Sequence, residues 1–266
     1  MNAIAFPART LWHAARVGLT DFLAIYTWYA WTFGWLLRLV FQVIFFTLVG
    51  RLVGGAHGAY ILVGNAVAVA GIEGTMVILE SAAERRSGTL PLIMSTPGSV
   101  VTAVLGRGLH WPVNGMISSS IVFAVVLPTF HIIPSWPRLV LLIPILLVVS
   151  FGTYCYGAVA GAVILRMPSI RWLALNVSYL TFMAISGVNV PVEDWPRPVQ
   201  VVADTLPLTY GLLAVRGLLN GETAAPLSRQ LGIEVIVSAG WLAAAVLLLH
   251  SFARSARANG TIDFAT

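Results

Sequence analysis

The sequence contains no lysine; its 15 lysine-plus-arginine positions are all arginine. That absence removes whole mechanisms. A GxxxxGK[ST] phosphate loop cannot be built, so the chain does not hydrolyse a nucleotide by that route. Schiff-base chemistry is excluded too. Charge of either sign is scarce, at 9% of residues, where a soluble domain carries roughly a quarter. The single cysteine, Cys155, lies in an apolar run and can form no internal disulfide; it reads as an inert packed thiol. His13, His57, His110, His131 and His250 show no spacing that pairs metal ligands, so no metal site is expected. No serine stands in GxSxG, and Glu193 and Asp194 lack a partner constellation, so no catalytic residue is assigned.

What is abundant is apolar, 58% of the residues. Several uninterrupted apolar runs approach the ~20 residues that cross a bilayer as a helix. The expected class is an all-α polytopic membrane protein with six transmembrane helices, placed at 33–53, 59–79, 109–131, 139–165, 172–188 and 231–252. The start, "MNAIAFPARTLWHAAR", lacks the short apolar core of a secretory signal. The pI is about 9.9, but the arginines are scattered at run ends. That distribution marks topology, and no nucleic-acid partner is expected.

Segment 1–32 is expected to hold an amphipathic interfacial helix. Over 8–22, Arg9, His13, Arg16 and Thr20 share one face, and Leu11, Ala15, Gly18 and Phe22 another. The Tyr and Trp residues of 26–35 read as a belt at headgroup level. With both termini inside, Arg9, Arg16, Arg85, Arg86, Arg107, Arg166, Arg171, Arg254 and Arg257 are cytoplasmic. Arg51, Arg138, Arg197, Arg216 and Arg229 are outside, so the bias favours that orientation. Segment 80–107 is then a cytosolic loop, and the proline-rich segment 189–230 is external, its apolar pieces too short to cross.

Inside the spans, Glu73 is the sharpest oddity. A carboxylate there is costly and must face a partner or a cavity. Arg38, one turn inside the first span, is the expected partner, unless it snorkels to the surface. A structural pair and a group that recognises cationic cargo both remain open. Asn65, Asn114, Asn176 and Ser118–Ser120 read as interhelical hydrogen-bonding groups, Asn65 also as a candidate for the substrate path. Glu234 is expected to pair with Arg216 or Arg229.

The stretch "ERRSGTLPLIMSTPGSVVTAVLGRG", 84–108, concentrates charge between two apolar runs. On residue chemistry it is either a positive-inside loop or a mechanical handle. A short helix carrying Glu80, Glu84, Arg85 and Arg86 would turn at Gly88-Thr89 and end at Pro97-Gly98. It resembles the cytosolic loop of ABC type-2 exporter permeases, in which Glu-Arg, Gly-Thr, Thr-Pro and Gly-Arg recur in that order. Here these are Glu84-Arg85, Gly88-Thr89, Thr96-Pro97 and Gly106-Arg107. The segment "SGVNVPVEDWPRPVQVVADTLPLTYGLLAVRGLLNG" is similar to that family's external segment through Gly187, Pro191, Pro196, Pro207, Tyr210 and Arg216.

The resemblance implies a plasma-membrane permease subunit that moves an amphiphilic drug or secondary metabolite outward by alternating access. It implies a second permease chain, identical or paralogous, and two copies of a separate ATPase that binds ATP and Mg. This chain itself would bind no cofactor. Residues 84–89 would be the coupling helix, and 189–230 would form re-entrant helices. A lipid-linked glycan is the alternative cargo. A stand-alone ion-coupled carrier is a further alternative, although no internal repeat supports it. The absence of lysine points to a GC-rich bacterial genome.

Overall fold

The computed structural model describes residues 5–54, 58–86, 88–95 and 99–259. Among these the chain is helical, with no strand. The elements are α1 (Ala5–Ile25), a π-helical turn (Ala30–Leu36) running into α2 (Leu37–Gly54), α3 (Gly58–Thr75), α4 (Val77–Arg86) and α5 (Thr89–Ser95). They continue with α6 (Val100–Arg107), α7 (His110–Thr129), α8 (Trp136–Ile164), α9 (Arg171–Ile185), α10 (Arg197–Asp204), α11 (Thr209–Asn220) and α12 (Ala224–Asn259). The expected Thr96-Pro97 motif, the Pro97-Gly98 stop and His57 lie outside the described residues.

Among the described residues, five helical stretches are long and apolar enough to cross a membrane: Ala30–Leu52, Gly58–Arg85, Val100–Thr129, Trp136–Ile164 and Ala224–Ala258. A sixth is reached if α10 and α11, bent by 85° to one another, count as one. The expected crossing at 172–188 is the 15-residue α9, about 22 Å of helix and not among the five. It ends because Ser186 caps it and Gly187 turns left-handed at φ 86°, a conformation that favours glycine.

α3 is the axis of the molecule. It is apolar apart from Asn65, Glu73 and Thr75, and its span is 94% buried, against 17% for that of α12. α7 and α8 press against it, and small residues set how closely they approach. A Cβ at Gly115 would meet Ala70 O at 2.8 Å and would collide with Ser150 Oγ. One at Gly74 would collide with the Ser150 carbonyl. The main core forms around α3 from Leu39, Val43, Leu62, Val67, Phe123, Leu146, Phe182 and Leu212.

α1 lies against α6. Gly18 rests on the Arg107 carbonyl, and Gly106 on Leu11 and Ala14. The expected face of Ala15, Gly18 and Phe22 is the one partly or fully covered, while Leu11 stays 36% exposed. Trp12, Leu19 and Leu23 leave a further apolar face exposed.

Candidate functional site

Glu73, Glu80 and Glu84 are spaced by seven and four residues, which keeps them on one helical face. His110, Trp111, Asn114 and Ser118 have matching spacing on α7, with Arg107 one turn earlier on α6. The two faces meet antiparallel and form a polar column through an otherwise apolar interface.

At its deep end, Glu73 is fully buried. Trp35 Nε1 donates to its Oε1 at 2.5 Å, Asn114 Nδ2 to its Oε2 at 2.8 Å, and Ser118 Oγ to its Oε1 at 3.3 Å. Asn114 Oδ1 accepts from Trp31 Nε1 at 3.1 Å. Trp31 and Trp35 sit in the π-helical turn, a form often found at functional sites. Just past Glu73 the α3 ladder tightens, with Met76 N donating to Glu73 O at 3.1 Å. Two irregular backbone segments therefore meet at one buried carboxylate.

The expected Arg38–Glu73 ion pair does not form. The Arg38 guanidinium lies over the Trp35 ring, 4.5 Å from its centroid, and the indole N–H takes the place at the carboxylate. Two residues of the expected aromatic belt, Trp31 and Trp35, turn their N–H groups inward. Trp28 and Tyr29 stay 74% and 56% exposed. Tyr26 stacks on Phe22 at 4.9 Å. Burial, and secondarily the Glu73 charge, push its phenol above its usual range.

In the middle of the column, Trp111 Nε1 donates to Glu80 Oε2 at 2.7 Å, with His110 Nε2 4.0 Å from the same oxygen. At its end Arg107 ion-pairs with Glu84 and, at 2.6 Å, with Asp21 of α1. Thr89 Oγ1 donates to Glu84 Oε2 at 2.5 Å across the left-handed turn at Gly88, φ 70°. Arg85 donates to the Leu165 carbonyl just past α8. Glu84 is 4% exposed and Glu80 16%. These charges, expected as a handle for a partner, are engaged within the chain. What the turn exposes is Leu92 of α5, at 64%. The Arg86 side chain lies outside the described residues.

Asn65 does not join this column. It lies two helical turns from Glu73 and donates to Asn189 Oδ1 at 2.8 Å. Asn176 and Ser120 bond to carbonyls of their own helices instead of crossing to a neighbour. Ser119 does cross, to Ala66 O at 2.7 Å.

Of the second group of expected residues, Gly187 lies beside Arg216, and Pro191, Pro196, Pro207 and Tyr210 are spread along the segment. Arg216 Nη2 donates to Tyr60 O at 3.3 Å and Val188 O at 3.2 Å, and the guanidinium stacks 3.4 Å from the Tyr60 ring centroid. Tyr60 Oη donates to Gly187 O at 2.8 Å. Pro191 opens the short turn Val192–Asp194, and Pro196 precedes α10. Pro207 lies between α10 and α11, near Gly152. Tyr210 donates to Asp204 at 3.3 Å. Glu234 pairs with no arginine; its Oε2 accepts from Gly211 N at 3.0 Å, a carboxylate at the start of α11.

Chemically the column is a set of buried carboxyl groups, each held by side-chain donors from neighbouring elements. It fixes the π-helical turn, α3 and α7 to each other and ties α1 and the α4–α5 turn to α6. Among the described residues no group of three or more His, Cys, Asp and Glu side chains could hold a metal. No protein-family model and no curated protein matches the sequence.

Proposed function

We propose that this chain is the membrane subunit of an ATP-driven exporter of the ABC type-2 permease kind, multi-pass in a bacterial plasma membrane with both termini in the cytoplasm. It works with a second permease chain and two copies of a separate ATPase, and it moves an amphiphile outward by alternating access. α1 lies in the cytoplasmic interface, its exposed Trp12, Leu19 and Leu23 in lipid. The bent α10–α11 pair enters the membrane from the outside and returns.

One observation carries this reading. The α4–α5 turn is fastened to three elements at once, through Glu84–Arg107–Asp21 and Arg85–Leu165. A push on that turn therefore moves α1, α6 and the end of α8 together. A topological loop needs no such ties. The column passes the displacement inward to Glu73, where the π-helical turn and the tightened α3 turn supply a hinge. The ATPase rests on α5 around Leu92 instead of on the buried acids.

The test is affinity purification of the tagged chain from mild detergent, with mass spectrometry of what accompanies it. A co-purifying soluble ATPase supports the proposal. Recovery of the chain with no nucleotide-binding partner would leave the stand-alone carrier as the better account.

A further inference from the structure

The intramembrane charge that faces outward from the protein is positive. Glu73 is closed off by Trp35, Asn114 and Ser118, so it offers nothing to a cationic ligand. Arg38 is exposed on α2, within the stretch Ala30–Leu52. It makes no ion pair or hydrogen bond among the described residues, and its guanidinium lies on the face of Trp35. An exposed arginine in an apolar span is expensive without an anion, and its planar fork of five donors matches phosphate, sulfate or carboxylate.

The surroundings suit an amphiphile with such a head. Phe41, Phe45 and Leu48 continue the face of Arg38 along α2, exposed by 60%, 62% and 49%. From Arg38 to Leu48 this apolar track runs about 15 Å. Gln42, one turn beyond Arg38, is held by Tyr179 of α9 at 3.2 Å, which keeps a second polar group beside the head position. The π-helical turn ends directly before this site.

We infer that Arg38 is a specificity-determining residue for cargo with an anionic head, the head seated on Arg38 against Trp35 and the tail along Phe41 and Phe45. This deepens the exporter reading and rests on it, and it reverses the cationic preference that Glu73 suggested.

The test uses the full chain in phosphatidylcholine nanodiscs and two matched dansyl-tailed amphiphiles, one with a phosphate head and one with a trimethylammonium head. Energy transfer from tryptophan reads binding. The phosphate probe is expected to bind about tenfold tighter, the scale of one charged hydrogen bond. Arg38→Gln should lose that preference by weakening the phosphate probe about tenfold; Arg38→Lys should keep part of it. No preference in the wild type, or the same preference in Arg38→Gln, overturns the inference. So does complete displacement of the phosphate probe in phosphatidylglycerol nanodiscs, because bulk lipid is then the occupant. The assay needs no ATPase, so a failed exporter reading and a failed site are told apart.

Discussion

Trp35 stands between Arg38 and Glu73: its N–H donates to the carboxylate and its ring face carries the guanidinium. Two opposite charges at similar depth, which sequence spacing suggests as a pair, make no direct ion pair, because the indole takes the contact position at the carboxylate. The consequence is testable. Glu73→Ala leaves the Trp35 and Asn114 donors buried without an acceptor, at about 1–3 kcal/mol each. Glu73→Gln keeps an oxygen for Trp35 and loses less. Arg38→Gln removes no hydrogen bond and leaves unfolding midpoints nearly unchanged. Denaturant titration in detergent ranks the three, and equal losses for Arg38→Gln and Glu73→Ala would restore the direct pair.

Arg107 holds two carboxylates of unequal value. Glu84 is 4% exposed and Asp21 is 52% exposed. Breaking a buried pair costs about 3–5 kcal/mol, whereas an exposed pair is worth about 0–1 kcal/mol. Glu84→Gln is therefore expected to destabilise the chain strongly and Asp21→Asn barely. Hydrogen exchange should still find α1 loosened in Asp21→Asn. Comparable melting losses from the two variants would contradict this ranking.

Most of the helices were legible in the sequence because apolar runs of bilayer length leave few alternatives. The polar column was legible in part. Its acids repeat at intervals of seven and four and their partners at three and four, but Glu80 and Glu84 stand in the chain's densest charge and read as a loop. Trp31 and Trp35 carried no such signal, since interfacial and buried indoles look alike until a partner for the N–H is known. α9 fell short for a local reason, the left-handed turn at Gly187, which hydropathy does not record.

Close helix approach makes glycine positions unequal. A side chain at Gly115 collides with α8 and α3, while a Cβ at Gly240 meets nothing within 4 Å. Gly115→Val should cost about 1–3 kcal/mol or more from overpacking. Gly240→Ala should be neutral or stabilising by up to about 1 kcal/mol. Size-exclusion profiles and unfolding midpoints check both, and a well-behaved Gly115→Val protein would refute the packing described for α3.

Arg216 depends on shape as well as charge. It stacks on Tyr60 and donates to two carbonyls. A lysine keeps the charge and loses the stacked plane. Arg216→Lys should lower stability nearly as much as Arg216→Gln, measured by thermal unfolding. Full rescue by lysine would mean that charge alone matters there.

The central claim is that force enters at the α4–α5 turn from a separate ATPase. The most direct measurement places a photo-crosslinking residue at Leu92 or, as a control, at Phe45, which is 62% exposed on α2. The account predicts a crosslink to the ATPase from position 92 that strengthens or shifts when nucleotide is bound, and none from position 45. No ATPase crosslink from position 92, or equal crosslinks from both, would contradict it.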